Sequence, residues 1–214
     1  TLEGLDIDGR RGGDLGRDTS GIHVTGAHVT IRDCRVRDAL FGIYLREADD
    51  ATIEDSVVSG IPDRPPGEVG SGIHVWNSQR FHLTNNEIAG TRDGMYIQSS
   101  SHGVVRGNRA RDLRYGLHYM FSDDNVFEDN VFERGAAGSA IMYSERIAFR
   151  RNRFLRNRGF ASVETKRSAR IRDTVRKAKR EGSEDRLRLA AVRKEVVVSA
   201  DQHRGSAEAM EHLR

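Results

Sequence analysis

Gly72-Ile-His-Val-Trp-Asn-Ser-Gln-Arg-Phe-His-Leu-Thr-Asn-Asn-Glu-Ile-Ala-Gly-Thr-Arg-Asp93 is followed at once by Gly94-Met-Tyr-Ile-Gln-Ser-Ser-Ser-His-Gly-Val-Val-Arg-Gly-Asn-Arg-Ala-Arg-Asp-Leu-Arg-Tyr115. Both stretches are 22 residues long. Both open with glycine, an apolar residue, an aromatic or histidine, and an aliphatic. Both carry asparagine fourteen positions after the glycine, at Asn86 and Asn108. The same opening recurs at Gly21, Gly42 and Gly116, with a degenerate copy at Gly138, in steps of 21, 30, 22, 22 and 22 residues. The step of 30 is one period plus Ile61-Pro-Asp-Arg-Pro-Pro-Gly-Glu-Val-Gly70, which has the composition of a surface loop.

Within each copy apolar residues alternate, which is the mark of strands with one buried face. Four columns emerge when the copies are aligned. They read Ile22/Ile43/Ile73/Met95/Leu117, Val24/Leu45/Val75/Ile97/Tyr119/Ile141, Ile53/Leu83/Val105/Phe127/Phe149 and Val36/Val58/Ile88/Ala110/Phe132/Phe154. Three short strands separated by Gly, Asn or Asp turns cannot close a core within one copy. Stacked copies can, at ~4.8 Å per layer. The fold class expected is therefore all-β, a right-handed parallel β-helix with one 22-residue coil per repeat. The column Asn86/Asn108/Asn130/Asn152 fits, because asparagine tolerates left-handed turns and stacked amides hydrogen-bond between layers. Cys34 and Ser56 hold the same place in earlier coils, so Cys34 reads as a small buried residue.

Composition sharpens the division. The 214 residues carry a net charge of +3, but residues 1–163 hold 21 Lys+Arg against 23 Asp+Glu. Residues 164–214 hold 14 against 9, while all 14 aromatic residues and 20 of the 22 glycines precede residue 164. Two regions follow: a near-neutral β-helix over 1–163 and a divergent basic tail over 164–214, partly helical or disordered. Ile171 and Thr174 keep the 22-residue phase for one last imperfect coil, and Arg186 to Val198 reads as a short helix. The boundary is expected to mark a frameshift or truncation, a fused unrelated tail or a lineage-specific cap, the first being favoured. The basic excess sits outside the periodic part, which argues against nucleic acid as a partner. No stretch approaches the ~20 apolar residues of a membrane span. A single cysteine excludes a disulfide scaffold. No signal peptide is visible, and the start at Thr1 suggests a processed or truncated N-terminus.

If the four columns face inward, His23, Tyr44, His74, Tyr96 and His118 face outward, and the next outward position on the strand carries Arg46, Trp76, Gln98, Met120 and, one coil further, Met142. His118, Met120 and Met142 then become neighbours on one face. Imidazole with two thioethers suits Cu(I), a soft ion, better than zinc, magnesium or calcium. The alternative is three surface side chains that share no metal. Trp76 and Tyr96 read as exposed aromatics able to meet a sugar ring or a partner, or as ordinary strand residues. His23, His28, His74 and His82 lack a second ligand at chelating spacing and read as surface histidines. A second group lies at a turn, where His102, Asp124 and Arg146 are 22 apart and so are Ser101, Asp123 and Glu145. Asp123 opposite Glu145 has the form of the paired carboxylates of a polysaccharide lyase or glycosidase. The same residues also make a charge ladder capping a turn, and Asp123, Asp124 and His102 remain candidate ligand or partner contacts.

The run Arg114-Tyr-Gly-Leu-His-Tyr-Met-Phe-Ser-Asp-Asp-Asn-Val-Phe-Glu-Asp-Asn130, with Ala140-Ile-Met-Tyr-Ser144 and Asn152-Arg-Phe-Leu-Arg-Asn-Arg-Gly-Phe-Ala-Ser-Val163, resembles the NosD family. The resemblance covers roughly residues 1–163. It implies a periplasmic, non-enzymatic accessory protein of the β-helical carbohydrate-binding and sugar-hydrolase group. Such a protein processes copper for the maturation of nitrous oxide reductase in denitrification. The implied partners are the membrane and ATPase subunits of an ABC transporter, the reductase itself and a copper chaperone. The implied cofactor or cargo is copper as Cu(I). The family's coils continue past the position of Val163, where this chain departs.

Overall fold

The computed structural model describes residues 1–159, 162–164, 187–192 and 195–200. Short strands wind into about six turns, each contributing one strand to each of three parallel sheets. The first sheet runs from Leu2–Glu3 through Thr30–Arg32, Thr52–Glu54, His82–Thr84, Val104–Arg106 and Val126–Glu128 to Ala148–Arg150. The second runs from Asp6–Asp8 through Arg35–Arg37, Val57–Ser59, Glu87–Ala89, Arg109–Arg111 and Val131–Glu133 to Arg153–Leu155. The third stacks Ser20–Thr25, Phe41–Arg46, Ile73–Trp76, Asp93–Gln98, Tyr115–Met120, Ala137–Met142 and Ser162–Glu164. The register is the one the repeat dictates: Ile73, Met95 and Leu117 pair in sequence, as do Leu83, Val105 and Phe127.

Every residue of the four apolar columns except Phe154 is buried, and Phe154 packs against the same core. Ile31 extends the third column one coil toward the N-terminus. Each layer thus buries several aliphatic or aromatic side chains at roughly 1.5–3 kcal/mol apiece, and each layer needs its neighbours to do so. Glycine opens the repeat because the coil leaves no room for a side chain. A Cβ at Gly94 would lie 2.5 Å from the Gly116 carbonyl oxygen.

Two hydrogen-bonded ladders run along the axis. The Asn86 backbone N–H donates to Asn108 Oδ1 at 2.9 Å, Asn108 to Asn130 at 2.9 Å, and Asn130 to Asn152 at 3.0 Å. Cys34 and Ser56 continue this ladder toward the N-terminus, the Cys34 N–H donating to Ser56 Oγ and the Ser56 N–H to Asn86 Oδ1. Ser78, Ser100, Ser122 and Ser144 form the second, each hydroxyl accepting the backbone N–H one coil back. Both satisfy turn amides that would otherwise be buried without partners.

The tail departs from expectation where it is described. Leu187–Val192 and Glu195–Ala200 are antiparallel strands that extend the third sheet beyond Ser162–Glu164, not a helix. The six-residue run rich in valine and alanine has the length and β-branching of a strand. The predicted extra coil at Ile171 and Thr174 lies outside the described residues. No helix among the described residues is long and apolar enough to cross a membrane.

Candidate functional site

The outward face of the third sheet carries a stack of rings, one per coil. His23, Tyr44, His74, Tyr96 and His118 follow one another with centroid separations of 4.9, 4.3, 4.6 and 4.2 Å. The Tyr44–His74 and Tyr96–His118 planes lie within 10° of parallel, at 5° and 9°. Parallel in-register strands force this stacking, since the layer spacing is close to the distance at which rings offset-stack. Stacked rings cover one another, so the face is less open than its polarity suggests. His74 is only 7% exposed, a correction to its reading as a surface histidine. Tyr44 is buried as well, and Tyr96 and Trp76 are half-buried rather than freely exposed. Trp76 lies under the Arg46 guanidinium, 5.0 Å from ring centroid to Cζ. His23, His28 and His82 are exposed, as expected.

The ladder ends at His118, because the next residue in register is Ala140. A constellation converges there that sequence spacing did not reveal. Asp93 is 2% exposed and receives Arg114 Nε on one oxygen at 2.9 Å and Nη2 on the other at 2.7 Å. His118 Nδ1 lies 3.1 Å from Asp93 Oδ2. Burial opposes ionisation of Asp93, but the hydrogen bonds from His118 and Arg114 and the Arg114 charge outweigh it. They hold the carboxyl below the usual carboxylate range. In the neutral imidazole, an ionised Asp93 makes Nδ1 the donor and leaves the lone pair on Nε2. That Nε2 is buried and has no hydrogen-bond partner among the described residues.

Met120 and Met142 pair in register on adjacent strands of the same face. Met142 is buried with Tyr115, Ala137 and Ala140, and Met120 packs against this cluster. The Tyr96 hydroxyl donates to Met120 Sδ at 3.3 Å, and Tyr115 meets His118 edge-on at 5.6 Å. The three candidate ligands therefore share one corner of the sheet. Among the described residues, no group of three His, Cys, Asp or Glu side chains converges on a metal position. What the corner offers is one imidazole nitrogen and two thioethers, a soft donor set.

The turn group takes a different form. The Glu145 backbone N–H donates to Asp123 Oδ1 at 2.6 Å, and Asp123 Oδ2 lies 3.3 Å from Arg146. Arg146 makes a bidentate pair with Asp124, at 2.6 and 2.9 Å, and reaches Glu145 at 3.4 Å. Both oxygens of Asp123 are thus engaged within the ladder. His102 is exposed in a left-handed turn. Beside these acids, Phe121 and Tyr143 stack at 5.0 Å and 6°, 52% and 48% exposed. They line a shallow depression with Asp123 and Glu145. Phe121 was not distinguishable in the sequence, since its neighbours in register are Ser99, Asn77 and Glu47.

The model of the family "Periplasmic copper-binding protein (NosD)" matches residues 60–182. No curated protein sequence matches the chain. Among solved structures, the periplasmic alginate epimerase AlgG superposes with a TM-score of 0.60 at 15% identity, over 77% of this chain and 39% of the epimerase. DFA-IIIase from Arthrobacter chlorophenolicus A6, solved without its lid, gives 0.50 at 20% identity, over 64% of this chain and 33% of the enzyme. At these identities the likeness is one of fold, and the chain spans between a third and two-fifths of those structures.

Proposed function

Because the chain belongs to the NosD family of periplasmic copper-binding proteins, we propose that it is an accessory protein that binds copper as Cu(I) at the corner of His118, Met120 and Met142. The observation that carries the reading is the buried His118 Nε2, without a partner while Asp93 and Arg114 fix the other side of the ring. A lone pair oriented by a carboxylate behind it is the usual arrangement behind a metal-bound histidine. Thioethers at adjacent register positions complete a site that favours Cu(I) over hard cations. Copper is here cargo, passed onward rather than used for chemistry. The protein's part is to present donors, exclude water with Tyr96, Tyr115 and Ala140, and release the ion to a partner. In this reading the chain works in the periplasm with an ABC transporter's membrane and ATPase subunits. It receives copper from a chaperone and serves the maturation of nitrous oxide reductase.

The test is competition for Cu(I) against a chromophoric chelator under anaerobic conditions. Met120→Leu with Met142→Leu keeps the apolar volume and removes both sulfurs. Affinity is expected to fall by at least ten-fold, and unchanged affinity would overturn the site. The accessory role is checked separately on uronic-acid polymers. Release of reducing or unsaturated ends, lost in Asp123→Asn, would replace it with a carbohydrate-active one.

A further inference from the structure

We infer that the corner formed by Phe121, Tyr143, Asp123 and Glu145 is a docking surface for a protein segment that presents an arginine or lysine side chain. The inference stands apart from the copper reading and involves none of the proposed ligands.

It begins with the backbone. Residues 47, 77, 99, 121 and 143 occupy one corner of successive coils, and the N–H groups of Glu47, Asn77, Ser99 and Phe121 each donate to a carbonyl of the next layer. All five have positive φ, from 49° to 51°. That conformation suits glycine, asparagine and other small polar residues and is unfavourable for bulky rings. Glu47, Asn77 and Ser99 show that the coil closes here without an aromatic residue. Phe121 and Tyr143 nevertheless place two large rings in this position, about half in solvent. Stacking on one another returns only a part of the apolar area they leave wet. Exposed, rigidly held aromatic pairs of this kind are the usual centre of a binding hot spot.

The charge around them selects the occupant. Among the described residues Arg146 is the cation that contacts these acids, and its short contacts, 2.6 and 2.9 Å, go to Asp124. Its contacts to Asp123 and Glu145 are longer, 3.3 and 3.4 Å. One guanidinium is thus shared by three carboxylates, and the two with the longer contacts line the depression beside the rings. A guanidinium or ammonium entering it gains two carboxylates and the electron-rich rings together. A sugar is a poorer fit. The two rings hide a face each against the other, so no broad platform remains, and carboxylates that could accept hydrogen bonds from hydroxyls gain more from a cation.

The experiment uses the full chain with aromatic side chains isotopically labelled. NMR follows the Phe121 and Tyr143 signals during titration with the blocked pentapeptides Gly-Gly-Arg-Gly-Gly and Gly-Gly-Glu-Gly-Gly, and with cellobiose. A saturable shift with the arginine peptide alone, weakened several-fold by raised salt, is the expected result. It should vanish in Phe121→Asn with Tyr143→Asn, whose melting temperature is unchanged or raised because asparagine suits the turn. Equal response to the glutamate peptide, a response to cellobiose instead, or a response that survives the double substitution would each overturn the inference. So would a melting temperature lowered by several degrees, which would mean that the rings serve the fold. Cu(I) affinity measured on the same variant should equal that of the parent, which separates failure here from failure of the copper site.

Discussion

Two buried titratable residues on the ring ladder make the clearest demands. Both nitrogens of His74 lie between Tyr44 and Tyr96 without a hydrogen-bond partner among the described residues. Burial first, and then the His118 charge, bring its pKa down to about 4. Unfolded histidine titrates near 6.5, so between pH 6.5 and about 4 the unfolded chain binds a proton that the folded one does not. Stability contributed by neutral His74 is therefore complete above pH 6.5 and is lost as pH falls, by roughly 3 kcal/mol in all. His74→Phe keeps a ring between the two tyrosines and removes the titration. Urea melts at pH 7 and pH 4.5 should show a smaller difference for the variant than for the parent; an equal difference would place the acid sensitivity elsewhere. Asp93 acts in the same direction for another reason, since its lowered pKa stabilises the fold above the ordinary carboxylate range. Asp93→Asn leaves Arg114 facing a neutral group in a mostly buried position, at a cost of about 3 kcal/mol. It also loosens the hold on the His118 tautomer. Cu(I) affinity should drop about ten-fold or more, as removal of a supporting carboxylate commonly does. Full affinity in folded Asp93→Asn would deny Asp93 that positioning role.

At the scale of the element, the unit is not the strand but the turn ladder between strands. Asn108 donates from Nδ2 to the Leu83 carbonyl and to Asn130 Oδ1, and it accepts the Asn86 N–H. Asn108→Leu leaves at least one buried amide and one carbonyl without partners, for a loss of about 2–4 kcal/mol. Asn108→Ser should cost less, because Ser56 does the same duty in this column. Thermal melts of the pair would settle this: serine no better than leucine would mean that packing, not hydrogen bonding, is what the column supplies. This element was legible in the sequence because asparagine is rare enough that four at a fixed interval stand out. The serine ladder of Ser78, Ser100, Ser122 and Ser144 has the same period and was not, since serine is common in any turn. The apolar columns were legible for a stronger reason, in that alternation and the 22-residue period must agree at every position. The site was only half legible. Met120 and Met142 lie one period apart and could be aligned, whereas Asp93 and His118 lie 25 residues apart, one coil plus three. That contact forms because Asp93 begins one strand and reaches along the outside to the next coil. No periodicity marks it. The burial of His74 escaped for a related reason: alternation assigns a residue to the outer face but does not say what its neighbours cover.

The whole molecule is a one-dimensional stack, and its stability should be distributed along the axis rather than pooled. Each coil gains from the layer on either side. Burial is uneven along the axis, since Leu2 and Ile7 are only partly buried while Ile53, Leu83 and Val105 are fully buried. Ion pairs between coils do little to even this out. Arg32–Glu3, Arg80–Asp50, Arg134–Asp112 and Arg151–Asp129 are all substantially exposed. Such pairs contribute up to about 1 kcal/mol each and less in salt. Native-state hydrogen exchange should therefore resolve a gradient. Amides of Thr30–Arg32 and Arg35–Arg37, bonded near the N-terminal coil, should exchange through partial openings that cost less than global unfolding. Those of Asp93–Gln98 and Tyr115–Met120, flanked by coils on both sides, should exchange only with the whole. Ile7→Ala sharpens the test, because Ile7 pairs with Val36 and its truncation removes apolar contact only at this end of the stack. Protection near the N-terminus should fall while that of Tyr115–Met120 stays within error. If the substitution instead lowers every amide equally, the coils unfold as one unit. The candidate copper corner would then owe its rigidity to the entire stack rather than to its neighbouring layers.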